Sequence, residues 1–90
     1  MDRVYFGSND LLVSTANKEL IQQHAPRAGY EIRAYKFSFM NNENCHVKIN
    51  GSGQILLQAG QGFNIDKDDE KILSFVIVEA GITYNYIGLY

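Results

Sequence analysis

The sequence predicts an all-β domain, a compact antiparallel β-sandwich or a jelly-roll-like small barrel. Three observations carry this expectation. Apolar residues recur with a period of two rather than 3.6, β-branched and aromatic residues gather in short runs, and Gly, Asn and Asp clusters separate those runs. Ninety residues leave room for one hydrophobic core, so residues 1–90 read as a single domain. With 46% hydrophobic and 20% charged residues, the composition is that of a folding domain and not of a disordered tail or a fibre.

Residues 2–6 make a first short strand, closed by Gly7, Ser8, Asn9 and Asp10, residue types that favour turns. Leu11, Leu12 and Val13 follow as a second. Residues 14–23 read two ways: Ser14 or Thr15 caps a helical turn carrying Ala16, Leu20 and Ile21, or the stretch pairs as an edge strand, and strand or irregular structure is preferred. Pro26 cannot donate to a ladder and steers Ala25 away from the helical region, so residues 24–29 form a loop.

Residues 30–40 read as a long strand whose facing changes midway. Tyr30, Ile32 and Ala34 lie on one phase and Tyr35, Phe37 and Phe39 on the other, so a bulge or bend near Ala34 is expected to keep both sets inward. After a turn at 41–44, Cys45, Val47 and Ile49 alternate with His46, Lys48 and Asn50. An Asn50-Gly51 hairpin connection leads to a return strand over 54–59. Gly60 and Gly62 mark a corner before a short strand at Phe63 and Ile65, and residues 66–71 are a solvated, mainly acidic turn. Residues 72–79 form the strongest strand, with both phases apolar. Ala80-Gly81 then turns the chain into a last strand over 82–90, so that 72–90 reads as one hairpin. Six to eight strands are expected.

Little in the chain points to catalysis. Cys45 and His46 are neighbours on a strand and therefore face opposite ways, so they cannot share a proton, and Cys45 reads as a small buried thiol. Two histidines, His24 and His46, far apart in sequence, do not make a metal site. The acidic run at 66–70 lacks the glycine and the distal glutamate of a calcium loop, Ile77 standing where that glutamate belongs. Gly60-Gln61-Gly62 is followed by no Lys-Ser or Lys-Thr, which removes a phosphate loop. No cofactor is expected. The eight Lys and Arg residues are scattered and the formal charge is −2, so nucleic acid is not an expected partner. No apolar run approaches the roughly 18 residues of a spanning helix, and no membrane association is expected. A single cysteine excludes an intrachain disulfide and suits a reducing cytosol.

What remains is surface. A chain this size buries only about 60 to 65% of its extended surface, yet the runs at 75–78 and 82–89 are apolar on both phases. Phe75, Ile77, Tyr84, Tyr86 and Tyr90 are therefore the predicted interface residues, facing a second copy or a larger protein. The tyrosines have two other readings: core packing with each hydroxyl at the rim, or a stacking platform for a sugar, which the lack of tryptophan disfavours. Residues 1–17, apolar in short pieces and rich in turn formers, read as a docking arm that orders on a partner.

The Asn50-Gly51 turn after Val47 and Ile49, the Gly60-Gln61-Gly62-Phe63 corner, the strand through Phe75 and Ile77 and the aromatic ending from Tyr84 to Tyr90 together resemble the small structural proteins of tailed bacteriophages. The likeness covers about residues 45–90 and is one of texture. It implies a non-enzymatic β-sandwich or small barrel in the virion, assembled in the host cytoplasm. Such a protein would dock on capsid or tail proteins as a homo-oligomer, a trimer by analogy with capsid decoration proteins. A carbohydrate- or receptor-binding module of a phage tail is the alternative.

Overall fold

The computed structural model describes residues 4–66 and 68–90. Among the described residues, nine strands form two antiparallel sheets that face each other as a small β-sandwich, without closing into a barrel. The larger sheet runs β1 (Tyr5–Gly7), β9 (Thr83–Leu89), β4 (Lys36–Asn41), β7 (Phe63–Ile65), with β2 (Leu12–Val13) pairing farther along β9. The smaller sheet runs β3 (Lys18–Glu19), β8 (Phe75–Ile77), β5 (Cys45–Ile49), β6 (Ile55–Leu57). A 3-10 turn, Gln22–His24, follows β3.

The period of two puts one apolar row of each sheet into the shared core. Phe37 and Phe39 of β4, with Tyr84 and Tyr86 of β9, face Cys45 and Val47 of β5, Leu57 of β6 and Phe75 and Ile77 of β8, and all of these are buried. Phe75 is the meeting point. Its ring centroid lies 5.0 Å from Phe37, 4.8 Å from Phe39 and 5.7 Å from Phe63, three side chains of the opposite sheet.

The bend expected near Ala34 is present, although regular pairing begins only at Lys36. Ile32 and Ala34 point inward from an irregular stretch in which Ala34 exchanges two backbone hydrogen bonds with Ile72 (2.9 and 2.8 Å). Beyond Tyr35 the chain enters the larger sheet on the other phase. The ambiguous 14–23 segment resolves into the two-residue β3 and the 3-10 turn, with Leu20 and Ile21 both fully buried between them. Asn50 and Gly51 adopt left-handed backbone (φ 52° and 76°), the mirror-image turn that suits strand twist.

Two expectations are overturned. The 72–90 stretch is not a hairpin: β8 and β9 belong to different sheets, and the Ala80-Gly81 connection carries the chain across the sandwich. Ser14 clamps that crossing. Its Oγ donates to the Glu79 carbonyl (2.7 Å) and accepts from the Ile82 N–H (3.0 Å), while its carbonyl accepts from Gly81 (2.8 Å). The 1–17 segment is built into the fold from Val4 onward instead of forming an arm. β1 and β2 both pair with β9, and Phe6 covers the side-chain-free Gly88, where a Cβ would lie 2.4 Å from its ring. Residues 1–3 lie outside the described residues.

Asn41, at the end of β4, is a fully buried polar side chain. Its Nδ2 donates to the carbonyls of Glu43 (2.9 Å), Leu57 (3.3 Å) and Gln58 (3.0 Å), and its Oδ1 accepts from the Gly62 N–H (3.0 Å). One amide thus pairs backbone groups from three separate chain segments, the Leu57 carbonyl among them in a fully buried contact. Asn41→Leu is expected to cost about 2 to 4 kcal/mol, because those groups lose their partners while the volume stays filled. Phe75→Ala should cost about 3 to 5 kcal/mol through the cavity it opens. Asp68→Ala in the exposed turn should change stability by less than about 0.5 kcal/mol, and urea unfolding of the three variants checks the ranking.

Candidate interaction surface

The structure places the predicted interface residues mainly inside the single chain. Phe75, Ile77, Tyr84 and Tyr86 are buried between the sheets, and Tyr90 is half-buried, packed against Phe6 and Tyr30. The first four therefore offer no surface to a partner. Their apolar partners come from the opposite sheet and from the 14–34 segment, whose Leu20, Ile21, Ile32 and Ala34 supply core area that short-range patterning does not reveal. The reading of core tyrosines with hydroxyls at the rim fits Tyr86, whose hydroxyl meets Gln23 and His24 of the 3-10 turn.

The polar candidates are structural as well. Cys45 is buried, and burial together with the nearby Glu79 and Glu43 carboxylates raises its thiol pKa despite an opposing Asn41 hydrogen bond, so it is a poor nucleophile. His46 points to the opposite, outer side of the smaller sheet and pairs with Glu79. The carboxylate takes the His46 backbone N–H (2.7 Å) and meets its ring Nδ1 (2.5 Å). Among the described residues no group of three or more His, Cys, Asp or Glu side chains could hold a metal. Lys67 of the acidic run is outside the described residues. Asp69 folds its own turn, its carboxylate accepting the Asp66 N–H at 2.9 Å.

Exposed apolar side chains occur on both sheets, Ile55 and Leu56 on β6 of the smaller one and Tyr5, Met40 and Ile87 on the outer face of the larger one. Inward Phe37 and Phe39 leave Lys36, Ser38 and Met40 outward, and the antiparallel register sets Leu89, Ile87 and Asn85 beside them. Tyr5 stands opposite Leu89, and Gly7, lacking a side chain, stands opposite Ile87. Tyr5 is 73% exposed, Ile87 54% and Met40 44%. Gly7 cannot carry a side chain without moving the backbone, since a Cβ there would lie 2.5 Å from the Tyr86 carbonyl oxygen. That bare position and the short Ser38 leave Ile87 standing free on both flanks. An open groove of about 500 Å³ runs past Ile87 and Leu89, with Tyr5 at one side and Asn64, Asp66 and Asp69 at the other. Ser38 donates to Asn64 Oδ1 (2.7 Å) across its floor.

Compared with known proteins, the chain matches no protein family, no curated protein and no solved structure.

This face was legible in part. Tyr5, Ile87 and Met40 sit on the outward phase of strands that the pattern predicts, but their gathering depends on β1 pairing with β9, a contact between opposite ends of the chain. On the other sheet, the pairing of His46 with Glu79 has a measurable consequence. Burial works to raise the Glu79 carboxyl, but the hydrogen bonds from His46 outweigh it and hold the group below the ordinary value of 4.5. A carboxyl lowered by folding stabilises above its unfolded value, and that contribution is lost as pH falls through the folded value. His46→Ala is expected to raise the Glu79 pKa, read by NMR titration, and to cost less than about 1 kcal/mol at pH 7, the pair being largely solvated.

Proposed function

We propose that this chain is a non-enzymatic structural module that docks on a larger protein through the outer face of its five-stranded sheet. The virion setting is the one implied by the sequence resemblance to small tailed-phage structural proteins. The observation that carries the reading is the placement of Tyr5, Ile87 and Met40: the core absorbs the other aromatic strand residues, and these three remain outward on one pre-formed sheet face. A sheet face held by a packed core loses little conformational entropy on binding, and an aromatic with an aliphatic neighbour supplies typical anchor chemistry. Phe75, Ile77, Tyr84 and Tyr86 are core residues and supply no surface for self-association.

One observation favours a second reading, a carbohydrate-binding module. The exposed Tyr5 ring borders a groove whose far side carries Asn64, Asp66 and Asp69, an aromatic platform beside amide and carboxylate acceptors. Tyr5, and not Tyr84 or Tyr86, would then be the stacking residue.

Association with particles separates the readings. Under the structural reading the chain co-sediments with the particles of its source, and Ile87→Asp lowers its occupancy by at least about tenfold, equivalent to about 1.4 kcal/mol, with an unchanged melting curve. Under the carbohydrate reading a glycan array shows binding that Tyr5→Ala abolishes. A chain that stays soluble when particles are pelleted, or an Ile87→Asp variant with full occupancy, would overturn the structural reading.

A further inference from the structure

His24 ends the 3-10 turn, and its ring lies against Phe6 of β1 (5.1 Å between centroids) and Tyr86 of β9 (5.8 Å). Two side chains converge on the Tyr86 hydroxyl. Gln23 Nε2 lies 2.9 Å from the Tyr86 oxygen and His24 Nε2 lies 2.6 Å from it. An amide nitrogen can only donate, so the Tyr86 oxygen accepts from Gln23, and the hydroxyl's own hydrogen is left for His24 Nε2. His24 is thereby the neutral tautomer with its hydrogen on Nδ1.

Protonation breaks this proton count. A charged imidazole carries a hydrogen on Nε2, two donors then point at the Tyr86 oxygen, and the hydroxyl hydrogen has no acceptor in the cluster. The groups acting on His24 are Tyr86 on β9, the Lys18 ammonium on β3 and the apolar Phe6 ring on β1; among the described residues no carboxylate pairs with it. Burial first, and Lys18 second, hold His24 below the ordinary 6.5. The proton therefore binds more readily when the ring is released than when it is seated, so the seated state is most stable above pH 6.5 and weakens as pH falls from there through the seated value.

We infer that His24 and Tyr86 form an acid-sensitive latch holding the end of the 3-10 turn against the five-stranded sheet. The neighbouring Gln22 bounds the motion. Its amide donates to the Ile32 (2.7 Å) and Leu73 (2.6 Å) carbonyls and accepts the Ile32 N–H (3.0 Å), and none of these groups titrates. Opening is thus confined to His24 and the connection after it, and it uncovers the Phe6 and Tyr86 rings that His24 lies against.

Amide hydrogen exchange on the intact chain tests the latch at the N–H groups of His24 and Ala25, which bond to Ile21 and Gln22 (3.1 Å each). Their protection factors are expected to fall between pH 7.5 and pH 5, while those of Val47 and Ile77 hold. Imidazole nitrogen shifts at pH 7.5 should show the hydrogen on Nδ1. His24→Gln should abolish the pH dependence, and Tyr86→Phe should bring neutral-pH protection down to the acid level. Unchanged protection at pH 5 with His24 protonated, a hydrogen on Nε2 at pH 7.5, or the same acid loosening in His24→Gln would each overturn the inference. If Tyr86→Phe does not fold, the His24→Gln arm decides alone.

Discussion

The packing of one phenylalanine across the sandwich underlies everything else in this structure. Phe75 sits in the three-residue β8 and reaches Phe37, Phe39 and Phe63 of the opposite sheet. The smaller sheet has strands of two to five residues, too short for ladder hydrogen bonds alone to hold it. Its attachment comes from apolar burial against the larger sheet. The same contact sets the outer surface: because Phe37 and Phe39 are drawn inward, Lys36, Ser38 and Met40 face out, and a slip of one residue would exchange the two sets. The groove beside Ile87 is in this sense a by-product of the core.

Short strands leave many backbone groups outside any ladder, and side chains take the place of missing strands. Gln22 presents an amide to Ile32 as a neighbouring backbone would. The Glu19 carboxylate accepts from the Ile21 and Phe75 N–H groups and from the Ser74 hydroxyl, tying the irregular turn to β8. Asn50 accepts from Leu73 and Ser74 with its Oδ1 and donates to the Lys71 carbonyl, fastening a hairpin tip to the loop beside it. Ser14 and Asn41 do the same at two sheet crossings. Side-chain polar groups of this kind compete with regular structure, which accounts for strands that end early without the fold losing definition.

The sequence pattern carries the all-β class, the alternation at Cys45, Val47 and Ile49, the Asn50-Gly51 turn and the change of facing near Ala34, since each depends on residues close together in the chain. The interface reading of Phe75, Ile77, Tyr84 and Tyr86 failed for the opposite reason. Apolar residues on both phases imply cover, but whether that cover comes from another subunit or from Leu20, Ile21 and Ile32 is settled by long-range placement. Gln22 and Asn41, polar residues that organise much of the backbone, carry no local signal that separates them from surface amides. Likewise, nothing close to His24 in the chain signals its contact with Tyr86, which β9 brings to it.

The position of β9 in the order of the chain has a kinetic side. It is the hub of the larger sheet, bonded to β1, β2 and β4, and it is synthesised after the other eight described strands. Ser8 meets Tyr86 across 78 positions, and Val4 and Tyr90 exchange backbone hydrogen bonds of 2.9 and 3.0 Å. Until 83–89 leaves the ribosome, β1 and β2 have no strand to join and the inward faces of β4 and β8 lack Tyr84 and Tyr86. Such non-local closure places folding in the slow range for small domains, roughly milliseconds to seconds. A nascent chain stalled before residue 83 would expose Phe37, Phe39 and Phe75 together, making the final strand the step that separates a soluble product from an aggregating one.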